Sequence, residues 1–274
     1  VKAELVSITT DGQALDGLFY EPEDQPVKGA VLLFHGNTMN FYVGAPRFLP
    51  PVLVPMGYAC LAFNRRGHDV LSTFNSRDPV GGAYQTIEQS VADNRFAAEW
   101  LAQRGHSDPI VIGHSNGGML SVQHVAEHPQ TRAHILLSAH RGGTGLLPMA
   151  SKGGLFAQDR YDEFKKRAQT MVSEGRGQEL ILLPGWYHVM TADTFVDAAT
   201  NMPDMLEWAP KISCPALFVR GDQEPAAIYP AEDFQKKVSG PCDVEIIEDC
   251  DHFYVGREDE TAKVVTSWLA KTFP

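Results

Sequence analysis

The residues Gly113-His114-Ser115-Asn116-Gly117, followed by Gly118, set a serine in a G-x-S-x-G frame. An apolar run at 110–112 leads into the frame, and the helix-compatible stretch MLSVQHVAEH leaves it. A strand that turns sharply into a helix at a serine exposes the hydroxyl as a nucleophile. The glycines keep side chains out of the way where strand and helix must pack closely around a strained backbone. The helix N-terminus behind Ser115 favours developing negative charge, with the Asn116 N–H directed at an oxyanion. The chemistry is attack on a carbonyl, and it requires a base for the serine proton and a carboxylate to orient that base.

The surrounding elements alternate in type. Residues 4–10 and 15–21 read as a hairpin closed by the turn signal Asp11-Gly12. Residues 30–34 are a continuous apolar run stopping at His35-Gly36, as a strand buried on both faces would. The pattern recurs at 58–63, 110–112, 134–138, 216–219 and 244–247, with helical stretches near 86–103, 117–127, 231–238 and 258–271. This alternation predicts an α/β fold: a mostly parallel central sheet, helices on both faces, and a site at the carboxyl ends of the strands. About 75 residues separate the run ending near Ala139 from the one starting at Ala216, far beyond an ordinary connection. They contain a charged helix at 159–173 and the aromatic stretch Trp186-Tyr187-His188. The expectation is a core of residues 1–140 and 211–274 with an inserted cap, 141–210, over the strand ends. Phe156, Trp186, Tyr187, Met190, Phe195, Met202, Met205 and Trp208 supply its apolar surface. Half of these are expected in the cap's own small core and the others around a pocket for a hydrophobic acyl or alcohol group. Trp186, Tyr187 and Met190 are the pocket candidates, and Arg141, beside His140 at a strand tip, is the candidate contact for a polar or anionic end of the substrate.

On these features the chain resembles the α/β-hydrolase superfamily, in its serine esterase and lipase branch, over nearly its whole length. The resemblance implies a triad in the order nucleophile, acid, histidine. The run at 216–220 ends in Gly221-Asp222-Gln223-Glu224-Pro225, similar to the family's acid loop. The acid usually stands three residues after the glycine, which selects Glu224, with Asp222 as the alternative; the family more often has Asp there. Cys250-Asp251-His252-Phe253, past the last apolar run and before the last helix, matches the histidine loop. It makes His252 the general base and Asp251 a loop-shaping neighbour. His35-Gly36-Asn37 looks like the HG-x motif, implying the Asn37 N–H as a second oxyanion donor beside that of Asn116. Arg65-Arg66-Gly67-His68 is similar to the R-G-x-G segment, with Asp69 where the family has glycine. Arg66 is then expected to fix loops near the site.

The implied function is a serine hydrolase cleaving a carboxylic ester, or a related acyl bond, through an acyl-enzyme. Alternatives on the same scaffold are a carbon–carbon bond hydrolase, a lactonase, an acyltransferase or a non-catalytic ligand receptor. The chemistry requires no metal and no organic cofactor. His124 to His128 fit the H-x-x-E-H pattern of zinc proteases. They lie at the far end of the helix, with His128 about 20 Å from Ser115 and no third ligand evident. Gly142-Gly143-Thr144-Gly145 lacks the context of a nucleotide loop and suits the chain's exit into the cap.

Composition narrows the partners. At 274 residues and 43% hydrophobic, the chain can bury a sizeable core without a disulfide or metal staple. Its formal net charge of −11 repels phosphate backbones and anionic lipid, favouring a small-molecule substrate over nucleic acid or a membrane surface. The oligomeric state is left open. Cys60, Cys214, Cys242 and Cys250 show no C-x-x-C spacing and are expected to be free thiols in a reducing compartment. The opening residues lack a signal-like apolar region, and no run approaches the ~20 residues of a membrane span, so a cytoplasmic location is expected.

Overall fold

In the computed structural model, which describes residues 2–73, 77–184 and 188–274 (His188 by its backbone alone), the apolar runs become strands and the stretches between them helices. The first half contains β1 (Lys2–Ile8), β2 (Leu15–Glu21), β3 (Gly29–Phe34), α1 (Ala45–Phe48), α2 (Pro50–Leu53), β4 (Tyr58–Phe63), α3 (Ile87–Gln103), β5 (Ile110–His114), α4 (Asn116–Glu127) and β6 (Ala133–Leu137). An insert follows, with α5 (Leu146–Lys152), α6 (Tyr161–Ser173), β7 (Leu180–Leu183), β8 (His188–Thr191), α7 (Ala192–Asn201) and α8 (Met205–Trp208). The chain then closes through β9 (Ala216–Gly221), α9 (Ala231–Lys237), β10 (Cys242–Ile247) and α10 (Glu258–Thr272).

One eight-stranded sheet runs in the order β1-β2-β4-β3-β5-β6-β9-β10. From β4 to β10 neighbouring strands are parallel, and the β1–β2 hairpin adds an antiparallel edge. This is the expected α/β architecture. The first strand ends two residues earlier than its composition predicts. The Thr10 hydroxyl donates to the Gln13 carbonyl and accepts from the Gly12 N–H, which commits Thr10 to the turn.

Alternation along the strands divides the core. Leu32, Phe34, Leu61 and Phe63 face one side, where Leu101 of α3, Val122 of α4 and Phe234 of α9 cover them. Val31, Leu33, Cys60 and Ala62 face the other, under Leu53 of α2 and Val265 and Leu269 of α10. The insert has a separate core of Phe156, Tyr161, Phe164, Met171, Ile181 and Phe195. By packing, its return limb belongs with the sheet, since Met205, Leu206 and Ala209 join the first cluster. The four cysteines are free. Among the described residues no helix is long and apolar enough to cross a membrane.

The sheet and α4 meet where the G-x-S-x-G frame lies. A Cβ on Gly117 would strike the carbonyl oxygens of Phe34 (2.5 Å) and His35 at the end of β3. One on Gly118 would sit 2.5 Å from the Ala139 Cβ, and one on Gly113 2.5 Å from the Gly117 carbonyl. Since the obstacle at Gly117 is backbone, Gly117→Ala should cost about 1–3 kcal/mol or more of stability in urea unfolding. An unchanged midpoint would mean that helix and strand are free to separate there.

The imidazoles of His114, His124 and His134 are among those buried in this core. The His124 ring meets the Phe34 ring edge-on and stacks on His128 at 4.0 Å, which is what the H-x-x-E-H histidines do in the fold. The His134 Nε2 donates to the Ser121 Oγ (2.7 Å), whose own proton goes to the Gly118 carbonyl. Burial holds His114 down at about 4 and His124 and His134 at about 3, against 6.5 for a free imidazole. The unfolded chain therefore takes up protons that the folded one refuses. The stabilisation is complete above about pH 6.5 and is lost as pH falls toward 4, at up to ~1.4 kcal/mol per pH unit for each group. Urea midpoints should drop clearly between pH 7.5 and pH 5, and a flat profile would contradict neutral burial of these rings.

Candidate active site

β5 delivers Ser115 to the carboxyl edge of the sheet with φ 58° and ψ −121°, a left-handed conformation that costs a non-glycine residue strain. The Ser115 N–H donates to the Leu137 carbonyl (2.9 Å), which pins the turn to β6. The first bond of α4 runs from the Met119 N–H to the Ser115 carbonyl (3.0 Å), so the amides of Asn116, Gly117 and Gly118 have no acceptor within the helix.

Two later loops converge on this serine. Its Oγ lies 2.9 Å from the His252 Nε2, and the His252 Nδ1 lies 2.6 Å from the Glu224 Oε1. Glu224 is 5% exposed, and its other oxygen accepts from the Gly221 N–H (2.9 Å) and the Ser138 hydroxyl (2.6 Å). The Ser138 Oγ is 2.7 Å from the Tyr254 hydroxyl, which also reaches the Val219 carbonyl at 3.1 Å. Burial and the neighbouring Glu224 charge push the Tyr254 phenol well above its usual range, so it stays a donor.

Of the two carboxylates considered for the acid, Glu224 faces His252. Asp222 accepts instead from the Cys250 N–H (3.1 Å), and backbone amides of the adjoining loop hold its carboxyl below the usual range. Asp251 accepts from the Phe253 and Val255 amides (2.9 and 3.1 Å) and shapes the loop that carries His252. The His114 Nε2, inside the G-x-S-x-G frame, donates to the His252 carbonyl (2.9 Å) beneath a ring-to-ring contact of 5.1 Å.

Asn37 follows β3 on a loop that the buried His35 holds. The His35 Nδ1 donates to the Gly36 carbonyl (2.8 Å), and its Nε2 accepts from the Arg65 N–H (3.0 Å). Burial, followed by the Arg65 charge, keeps His35 well below its usual range and therefore neutral. The Gly36 carbonyl and the Asn37 N–H belong to one trans peptide and point opposite ways, so the His35 bond turns that N–H outward. Among the described residues neither the Asn37 nor the Asn116 N–H has a backbone acceptor outside the helices.

Arg65, 1% exposed, donates through its Nη2 to the His35 carbonyl (2.6 Å). Arg66 ties its own loop to α3 through the buried Asp93 (Nε to Oδ1, 2.8 Å) and to the hairpin through Asp11 (3.2 Å). The two arginines thus divide the loop-fixing that the motif suggests for Arg66, and Arg65 serves the Asn37 loop. Asp69 adopts φ 55°, a conformation that aspartate tolerates in place of the family's glycine, and its carboxylate accepts from the Asn40 amide (2.9 Å).

A cavity of about 200 Å³ opens on Ser115, Asn37, Asn116 and His252, walled by the insert's Leu146, Leu147, Met190 and Met202. None of its lining side chains among the described residues is Lys, Arg, Asp or Glu. Met190 lines this cavity, whereas Trp186 and Tyr187 lie outside the described residues. Arg141 is not in this wall. It pairs with Asp204 at 2.9 Å and lines a neighbouring cavity of about 410 Å³, while His140, one residue earlier, lines the Ser115 cavity. Missing from the sequence reading were the roles of Ser138, Tyr254, His114 and Arg65. Ser138 and Tyr254 are lone polar residues with no spacing to mark them, and His114 and Arg65 stand inside motifs whose pattern assigns them no role.

Over 220 residues the chain is 30% identical to the acylamino-acid-releasing enzyme of Sus scrofa, a match covering 78% of this chain but only 27% of that protein's length. The structure of Est1E from Butyrivibrio proteoclasticus with bound ferulic acid superposes with a TM-score of 0.73 at 21% identity, covering 97% of this chain and 98% of that one. A soluble variant of monoglyceride lipase from Saccharomyces cerevisiae, in complex with a substrate analog, gives 0.71 at 15% identity, covering 98% and 96%. These two likenesses are of fold. The model of the alpha/beta hydrolase family matches residues 31–264, from within β3 to within α10, and the chain belongs to that family.

Proposed function

We propose that this protein is a serine hydrolase that cleaves a carboxylic ester, or a related acyl bond, of a small and partly hydrophobic substrate. The observation that carries this reading is the unbroken chain from the Ser115 Oγ through His252 to Glu224, at 2.9 and 2.6 Å, at the mouth of a cavity with no charged side chain among its described lining residues. Ser115 attacks the carbonyl while the His252 Nε2 takes its proton. Glu224 holds the Nδ1–H tautomer and stabilises the imidazolium, and the Ser138 and Gly221 donors keep the carboxylate's other oxygen occupied. The Asn37 and Asn116 N–H groups receive the oxyanion. His252 then protonates the leaving group, and water repeats the sequence on the acyl-enzyme. In this reading the insert is a cap whose apolar side chains exclude water from the acyl group. The likeness to acylamino-acid-releasing enzymes supports assaying the amide of an acylated amino acid beside the esters.

The cavity is somewhat larger than the ~150 Å³ that accommodates benzene. p-Nitrophenyl esters of graded length should accordingly be turned over best at about four to eight acyl carbons. Ser115→Ala should lower kcat/KM by ~10⁴-fold or more, and a variant retaining the wild-type rate would remove the mechanism.

Ser138→Ala strips one hydrogen bond from Glu224 without touching the nucleophile. It is expected to cost ~10- to 100-fold in kcat, the equivalent of a lost bond to a buried charge. Equal rates in Ser138→Ala and wild type would show that Glu224 is held without that donor.

A further inference from the structure

Beyond the triad, the cavity wall has a corner with unspent hydrogen-bonding capacity. His140 stands three residues past the end of β6 and lines the cavity. Its Nδ1 is sealed and without a partner; among the described residues it is the one such buried side-chain atom whose residue lines this cavity. Burial holds the ring at about 3, so it is neutral and carries a single proton. With the proton on Nε2, the sealed Nδ1 is left as a lone pair and the cavity gains a neutral donor.

Tyr229, 8% exposed, lines the same cavity with its ring 5.0 Å from that of His252. No hydrogen-bond partner of its hydroxyl lies among the described residues, and burial keeps the phenol protonated. A bond from the Arg141 N–H to the Ile228 carbonyl (2.7 Å) brings the backbones beside these two residues together. Two other polar groups of the wall serve the protein itself: the Ser90 hydroxyl donates to the Thr86 carbonyl, and the Gln85 amide to Asp93.

We propose that His140 and Tyr229 are specificity-determining residues that receive a neutral hydrogen-bonding group, a hydroxyl or an amide, on the leaving-group side of the substrate. The inference rests on the serine hydrolase reading. The side follows from His252: Tyr229 touches its ring and its charge weighs on His140, and His252 is the group that hands a proton to the departing alcohol or amine. The absence of charged lining residues among those described makes the recognised group neutral. A substrate lacking it leaves buried polar groups unpaired in the transition state, which is how such sites discriminate.

The test uses two esters of nearly equal shape, 2-hydroxyethyl butyrate and propyl butyrate, with release of butyrate followed at constant pH. Labelling by a fluorophosphonate first reports whether Ser115 is a reactive nucleophile. The wild type should favour the hydroxyethyl ester by at least ~10-fold in kcat/KM, the worth of one such bond. That ratio should fall toward one in His140→Leu, fall partway in Tyr229→Phe, and return in His140→Gln, whose amide reaches where Nε2 stands. Thermal unfolding checks that each variant is folded, and the wild-type ratio decides alone if His140→Leu is not. With Ser115 labelled, a wild-type ratio near one, a ratio unmoved by His140→Leu, or turnover of neither ester overturns the corner and leaves the nucleophile standing. Failure of Ser115 to label removes the hydrolase reading and the corner with it.

Discussion

At the Ser115 turn, the backbone of α4 approaches the backbone of β3 with no room for a methyl group between Gly117 and the Phe34 and His35 carbonyls. Everything at the carboxyl edge of the sheet is referenced to this contact. It sets the height of Ser115 above the sheet and orients the free amides at the head of α4. It also places the His35 loop against them. A strained φ of 58° at Ser115 persists because β5, β6 and α4 over-determine it: the serine amide is held by Leu137 and its carbonyl by Met119.

The loops on the far side reach the same point through buried polar groups. Glu224 is a carboxylate inside a protein whose acidic excess otherwise resides largely on the surface, and each of its oxygens is engaged. Asp93 plays a comparable part beneath Arg66, accepting from its backbone and side chain and from Gln85. Both carboxylates order a loop by gathering donors from separate elements. A net charge of −11 and a cavity with no charged side chain among its described lining residues are therefore compatible, because these two carboxylates enter the interior where donors surround them.

Much of this was legible in the chain. Strands buried on both faces need apolar residues at every position, so 58–63 reads directly as β4 (Tyr58–Phe63), and alternation with amphipathic stretches gives the α/β class. The serine frame marks itself, because strand, turn and helix each impose residue types. Glu224 and His252 were legible only through order along the chain and resemblance to a family. What escaped is of one kind. Ser138, Tyr254, His114 and Arg65 act through a single hydrogen bond or two to residues far away in sequence, and neither composition nor period encodes such partners. Arg141 misled for a related reason. A cation at a strand tip suggests an anion in the pocket, but Asp204 on the insert's return limb satisfies it, leaving His140 in the wall. Of the insert's described aromatics, Phe195 went to the insert's own core, Phe156 shares that core and the cavity wall, and Trp208 packs against the core of the sheet.

That separate core has an evolutionary consequence. Because Phe164, Met171, Ile181 and Phe195 pack among themselves, the part of the insert before its return limb has a core separate from that of the sheet, and Leu146 meets Ile228 and Tyr229 in a further small cluster. Substitutions or length changes within it can reshape the cavity roof without disturbing the strands that hold Ser115, Glu224 and His252. A lineage carrying this chain is thus able to drift from one substrate to another by remodelling a module, with the chemistry inherited intact.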